Sequence, residues 1–148
     1  LIFYAAAYSL ATIGVFAVLI KMKDYTFEGF NGLGKREPVL AATNTVFLLS
    51  LAGIPATAGF MAKFYMLSAT IANGHVFWLV LLAIGCAAIS VYYYFRVIQA
   101  MYFKEGEEEH AIATTPVFKA LLVVVAVLLI VLGLFPQWLI DNLYNPGF

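Results

Sequence analysis

The sequence predicts an all-α membrane protein, a polytopic transmembrane helix bundle of four spans in which the second span is long and broken. Of its 148 residues, 64% are hydrophobic and 11% are charged, whereas a soluble domain carries roughly 25% charged residues. The apolar residues fall into four long runs, and a helix needs about 20 such residues to cross the hydrocarbon layer of a bilayer. Because these runs nearly exhaust the chain, we expect a single membrane domain over residues 1–148.

The four predicted spans cover residues 1–20, 39–72, 76–103 and 116–134. The first run lacks the charged start and the cleavage site of a signal peptide, and it looks like a span cut partway. A short tail follows the last run, where Trp138 and Tyr144 suit the headgroup region. We therefore expect the chain to be the C-terminal part of a larger subunit.

The second run is too long for one upright crossing, because a helix rises about 1.5 Å per residue. Gly53, Pro55 and Gly59 lie near its middle. Proline removes a backbone donor and clashes with the preceding turn, and glycine loosens the backbone around it. The sequence therefore predicts a helix break at these three residues.

The loops predict the orientation, because basic residues concentrate in short cytoplasmic connections. The first loop contains Lys21, Lys23, Lys35 and Arg36, the second contains no basic residue, and the third is flanked by Lys104 and Lys119. We expect the first and third loops to be cytoplasmic and the C-terminus to lie outside.

The first loop also carries recurring apolar residues, namely Tyr25, Phe27, Phe30 and Leu33. They suit a segment lying at the membrane interface, with an exposed loop as the alternative.

Lys63 is the one charge placed deep in a predicted span. It stands ten residues before the polar turn at Asn73, a distance of roughly 15 Å along a helix, which its stem does not span comfortably. Such a charge costs at least about 2.5 kcal/mol and usually faces a bundle interior or a hydrated path. A poorly hydrated lysine also exchanges its proton more readily than an arginine. We predict a proton relay at Lys63, with a structural ion pair as the alternative.

The other polar residues give weaker signals. Ser50 and Thr57 are candidate cavity-lining residues, although such hydroxyls often bond to their own helix. His75 and His110 lie in predicted loops and are interpreted as solvated rather than as relays or metal ligands. The lone Cys86 excludes an internal disulfide. We expect this chain to bind no metal, cofactor or nucleic acid.

The stretch SLAGIPATAGFMAKFY at Ser50–Tyr65 resembles the broken helix of the antiporter-like membrane subunits of respiratory complex I. Its TAGF…KFY form is most similar to the subunit N family of NADH-quinone oxidoreductase. The segments Gly32–Ala41 and Ala88–Phe103 are similar to the flanking segments of that family. The resemblance covers nearly the whole chain and is most specific around Lys63.

This resemblance implies a proton-translocating subunit in the inner cell membrane, with its C-terminus on the periplasmic side. It implies that Lys63 belongs to a water-linked row of lysine and glutamate side chains near the membrane midplane. Other membrane subunits and the lipid bilayer would be its partners. NADH, FMN, iron–sulfur clusters and quinone would be bound by other subunits, and this chain would couple their electron transfer to proton pumping. A subunit of a related cation/proton antiporter and a passive scaffold are the alternatives.

Overall fold

The computed structural model describes residues 2–22, 24–72, 77–106, 112 and 114–137. The helices in those ranges are α1 (Ile2–Lys21), α2 (Leu33–Arg36), α3 (Pro38–Ala52), α4 (Ala58–Ala72), α5 (Phe77–Phe103) and α6 (Pro116–Leu134), with a 3-10 turn at Glu28–Phe30. The predictions for Lys23, Asn73, His75, His110, Trp138 and Tyr144 lie outside the described residues. The predicted all-α bundle, with its second span interrupted, is confirmed.

Among the described residues, three helices are long and apolar enough to cross a membrane, namely α1, α5 and α6. The predicted second span instead consists of two helices, α3 and α4, of 15 residues each. At about 1.5 Å per residue each is roughly 22 Å long, which is less than the roughly 30 Å of hydrocarbon. Neither helix alone is long enough for a crossing, so the predicted second span needs both, and that prediction places the break between them at membrane depth.

The helix starts follow from their first residues. Both α3 and α6 begin with a proline, at Pro38 and Pro116, where the missing N–H would have no helical partner anyway. The Thr115 hydroxyl also accepts a hydrogen bond of 3.3 Å from the Phe118 N–H at the start of α6. These two starts are thus set by local sequence alone.

Helix α3 lies at the centre of the bundle and contacts α1, α4, α5 and α6. The Phe47 side chain is fully buried against Gly14 of α1, where an added Cβ would lie 2.6 Å from the ring. Gly133 of α6 lies against the backbone of Thr57, in the break between α3 and α4. Small residues at these points let the helix backbones approach closely, as in other membrane bundles.

The end of α1 and the starts of α3 and α6 lie together at one end of the bundle. The Lys21 ammonium lies 5.2 Å from the centre of the Phe118 ring, and Lys119 forms an ion pair of 2.6 Å with Glu37. Helices α1 and α3 are therefore antiparallel, and the first and third loops leave the bundle at the same end. That both loops are cytoplasmic stays a prediction.

The first loop folds back onto this end of the bundle. Phe30 and Leu33 are buried, whereas Tyr25 is 68% exposed. The Gly32 N–H donates to the Ala100 carbonyl oxygen near the end of α5, at 3.2 Å. The loop is therefore fastened to α5 by both apolar burial and backbone bonding.

The contact between Gly133 and the break predicts opposite effects for two glycine-to-alanine substitutions. Within a helix, alanine is ordinarily more stable than glycine by about 1 kcal/mol. We expect Gly85→Ala to follow this rule, because an added Cβ there has no atom of the described chain within 4 Å. Gly133→Ala pushes against backbone and should destabilise the fold by about 1–3 kcal/mol. Thermal melting of the two purified full-length variants checks this, and equal melting temperatures would contradict the described packing.

Candidate functional site

The C-terminus of α3 ends in a left-handed turn at Gly53, with φ 81° and ψ 43°. The Gly53 N–H donates to the Ser50 carbonyl oxygen and the Ile54 N–H to that of Leu49, both at 3.0 Å. This is the Schellman arrangement, in which the turn satisfies two of the carbonyls exposed at a helix end. Two further carbonyls, those of Leu51 and Ala52, are left for another donor.

Lys63 supplies that donor from the second turn of α4. Its Nζ donates to the Leu51 oxygen at 2.7 Å and to the Ala52 oxygen at 3.1 Å. The ammonium thus lies at the negative end of the α3 dipole, an interaction worth up to about 2 kcal/mol where it is partly buried. Hydrogen bonds from charged groups add about 1.5–3 kcal/mol each. These two terms describe the same carbonyls and are not summed, but they are large enough to offset the cost of about 2.5–3.5 kcal/mol for a charge at membrane depth.

Glycines make room for this contact. A Cβ at Gly53 would lie 3.0 Å from the Lys63 Cδ and 3.2 Å from its Nζ. Gly59 lies directly against the Ser50 carbonyl with no space for a side chain, and its N–H donates to the Ser50 hydroxyl at 3.1 Å. Gly53 is therefore required both for its backbone angle and for the passage of the lysine stem.

A side-chain hydrogen bond and an unusual backbone angle define the path of the chain through the break. The Thr57 hydroxyl donates to the Ile54 carbonyl at 2.7 Å, so it bonds within the turn. Ala56 has a φ of 74°, a left-handed conformation rare for residues other than glycine. Pro55 lies between Ile54 and Ala56 on the exposed side. No sequence pattern predicts this strained conformation of Ala56.

A small cavity between α1, α3 and α4 includes Lys63 in its wall. Ser50 also lines this cavity, and Tyr4 and Tyr8 line it from α1. Thr57 is not among the lining residues. The two tyrosine rings are parallel, with centres 6.1 Å apart. The structure thus brings Lys63 and Ser50 together and adds two phenol groups that sequence reasoning missed, because they lie in an ordinary apolar run.

Neither an ion pair nor a metal-ligand cluster is found at this site within the part of the chain that the structure describes. Among the described residues, an ion pair is formed by Lys119 and Glu37, and it lies at the loop end of the bundle. The described ranges contain no group of three His, Cys, Asp or Glu side chains that could hold a metal. Among these residues, backbone carbonyls rather than a carboxylate compensate the charge of Lys63.

Known proteins have similar sequences and a similar fold. The chain is 42% identical over 148 residues to NADH-quinone oxidoreductase subunit N of Trichlorobacter lovleyi, which covers 95% of this chain and 30% of that protein. It is 44% identical over 144 residues to the subunit N of Flavobacterium psychrophilum, covering 93% of this chain and 30% of that one. The chain thus spans about 30% of the length of these curated relatives.

A solved structure of respiratory complex I from Thermus thermophilus with bound aureothin contains a similar chain. The two superpose with a TM-score of 0.83 at 34% identity, over 91% of this chain and 32% of that one. Residues 1–90 match the family model described as NADH:quinone oxidoreductase/Mrp antiporter, TM, and include α1, α3, α4 and the Lys63 site. Since this match covers more than half of its residues, the chain belongs to the NADH:quinone oxidoreductase/Mrp antiporter family of transmembrane proteins.

Proposed function

We propose that this chain is part of the proton-translocating membrane subunit N of an NADH-quinone oxidoreductase, and that Lys63 is a proton relay in it. The observation that carries the proposal is the position of Lys63, whose ammonium caps a broken helix beside a cavity at membrane depth. Broken helices recur at the ion sites of membrane transporters. The similarity to subunit N relatives and to a complex I chain supports the assignment.

The hydrogen bonds of Lys63 allow it to exchange a proton without losing its place. An ammonium group has three N–H donors, of which two are used by the Leu51 and Ala52 carbonyls. The third has no acceptor among the described residues and is available to water in the cavity. When that proton leaves, the neutral amine keeps two N–H groups for the same two carbonyls. The relay can thus load and unload while α3 stays capped.

The proposal has consequences for partners and location. The subunit lies in the inner cell membrane, with the first and third loops cytoplasmic and the C-terminus periplasmic, as the basic residues predict. Other membrane subunits of the complex and the lipid bilayer surround it. NADH, FMN, iron–sulfur clusters and quinone are bound by other subunits, so that this chain carries no redox centre and acts as the translocating part of the enzyme.

A subunit of a cation/proton antiporter is the second candidate. The description of the matching family names the Mrp antiporter together with NADH:quinone oxidoreductase. The two candidates differ in the ion they need. Proton transfer that requires a sodium gradient and continues without NADH oxidation would favour the antiporter.

Substitutions at Lys63 separate a relay from a structural cap. Lys63→Arg keeps a cation and its donors at the α3 terminus but holds its proton, because a guanidinium stays charged. We expect this variant to assemble and to lower proton transfer by at least about tenfold, a barrier increase of about 1.4 kcal/mol. Lys63→Met should lose both the relay and the cap. Proton-to-electron stoichiometry in liposomes containing the whole complex measures the effect.

The matched control is Lys119→Met, which removes a charge at the loop end of the bundle. Its partly exposed ion pair with Glu37 contributes about 1 kcal/mol or less to stability, so this variant should still fold. Proton transfer should be unchanged because Lys119 does not line the Lys63 cavity. If Lys63→Arg pumps as well as the native complex, Lys63 is only a cap. If Lys63→Met also does so, a passive scaffold explains the chain.

Two substitutions in the break should have different effects on stability and on proton transfer. Gly53→Ala places a methyl group against the Lys63 stem and in a left-handed backbone, which costs roughly 1–2 kcal/mol in backbone energy alone. Ala56→Gly relieves the same kind of strain without touching Lys63. We expect lower stability and lower proton transfer from the first, and native transfer with equal or higher stability from the second. Thermal melting and stoichiometry on both variants decide this, and a Gly53→Ala complex that pumps normally would refute the tight fit.

A further inference from the structure

Helix α5 has one side that the other described helices leave uncovered. Tyr94, Val97 and Met101 pack into the cluster of buried residues that α5 shares with α3 and the first loop. The opposite side, which we call the α5 stripe, carries Leu82, Gly85, Ile89, Tyr92 and Arg96 within an arc of about 80°. Ile89 and Tyr92 are 64% and 65% exposed, and an added Cβ at Gly85 would meet no described atom within 4 Å. The stripe is therefore an open surface of the described chain.

The length of the stripe matches one half of a bilayer. Arg96 stands 18 residues after Trp78, or roughly 27 Å along the helix, which is close to the roughly 30 Å of hydrocarbon. Tryptophan and arginine are typical of the two membrane boundaries. Gly85 lies roughly 16 Å from Arg96 along α5, near the middle of the hydrocarbon layer. The part of the stripe from Gly85 to Arg96 thus spans about one leaflet, with its charge at the headgroup level.

The Arg96 guanidinium is held in place at the loop end of the bundle. Its central carbon lies 4.5 Å from the centre of the Phe27 ring in the first loop, a cation–π contact. Arg96 forms no ion pair or hydrogen bond through its side chain with the described residues. Glu28 follows Phe27 but does not pair with Arg96, and Asp24 accepts from Thr26 instead. A guanidinium has five N–H donors, so this one is positioned for an anion that the described residues do not supply.

A phospholipid suits this stripe better than another helix does. Where helices of this bundle meet closely, a small residue stands at the contact, as Gly14 does against Phe47. The stripe instead exposes long side chains on both sides of its one glycine, at Leu82 and Ile89. A helix lying over the stripe would also have to bring a carboxylate to Arg96, because an unpaired buried charge is costly. A phosphate group accepts two parallel N–H bonds from a guanidinium, and acyl chains adapt to an uneven apolar surface.

We propose that the α5 stripe binds an anionic phospholipid, with its phosphate on Arg96 and an acyl chain lying along Tyr92 and Ile89 towards Gly85. Charge complementarity selects the headgroup, since basic sites beside membrane helices bind anionic lipids and each arginine near the surface strengthens binding about fivefold. Phe27 fixes the arginine, and Lys104, directly after α5, adds a second cation at the same end. The site does not involve Lys63 and is independent of the proposed function.

The test uses the complete complex, reconstituted in phosphatidylcholine vesicles that contain a trace of a photoactivatable phospholipid. One sample carries photoactivatable phosphatidylglycerol, and the other carries the matching phosphatidylcholine. Peptide mass spectrometry measures the yield of crosslinks on α5. We expect phosphatidylglycerol to label α5 at least about fivefold more than phosphatidylcholine does. Arg96→Gln should abolish this preference because it removes the charge, whereas Arg96→Lys should retain most of it.

Two further variants separate the site from a general effect of charge. Phe27→Leu keeps an apolar contact but removes the ring, and it should lower the preference for phosphatidylglycerol about two- to fivefold. Lys21→Gln is the matched control, because this ammonium also lies over a ring at the loop end, 5.2 Å from the centre of Phe118, but on another helix. It should leave the labelling of α5 unchanged.

Equal labelling of α5 by the two probes in the native complex overturns the proposal, as does an Arg96→Gln complex that keeps the preference. If neither probe labels α5 while both label other spans of the complex, a protein helix covers the stripe and the proposal fails. A density map of the native complex with phosphatidylglycerol decides the matter even if Arg96→Gln does not assemble. A lipid phosphate within hydrogen-bond distance of Arg96 supports the site, and a map that resolves lipid phosphates elsewhere but none there overturns it.

Discussion

The fold depends on how a helix can end inside a membrane. A helix C-terminus exposes backbone carbonyls that water would normally satisfy, and a bilayer core offers no water for this purpose. Here the left-handed turn at Gly53 satisfies two carbonyls, and the Lys63 ammonium binds the next two, at 2.7 and 3.1 Å. Lys63 therefore satisfies the last free carbonyls of α3 and is also the residue that brings a charge into the membrane.

The surrounding packing follows from this arrangement. The two short helices must approach closely for Lys63 to reach Leu51, so Gly59 lies directly against the carbonyl of Ser50. The break then presents bare backbone to its neighbours, and α6 meets it at Gly133. A larger residue at either glycine would separate the elements that hold the lysine in place. The small residues are thus part of the site although they have no chemistry of their own.

Much of the architecture is predictable because its causes are local. Gly53, Pro55 and Gly59 mark the break by their backbone properties, and the length of the apolar run requires one. The depth of Lys63 follows from counting residues. What Lys63 binds is different, because carbonyl oxygens have no signature in a sequence and the sequence favoured no partner. The turn of Thr57 onto Ile54 likewise depends on the backbone path through the strained Ala56.

The tyrosines of α1 are a second part of the site that the sequence alone does not predict. Tyr4 and Tyr8 lie in a run that any membrane helix could contain, and only the packing of α1 against α3 and α4 brings them to the cavity of Lys63. The proposed proton exchange needs such neighbours, because a lysine held by two carbonyls can pass its third proton only to a group on its remaining side. Tyr4 and Tyr8 line the same cavity as Lys63 and carry hydroxyls that can both donate and accept, whereas the carbonyls only accept. In the proposed relay, the partners of Lys63 are therefore the neighbours that are able to exchange protons, and not the carbonyls that hold it.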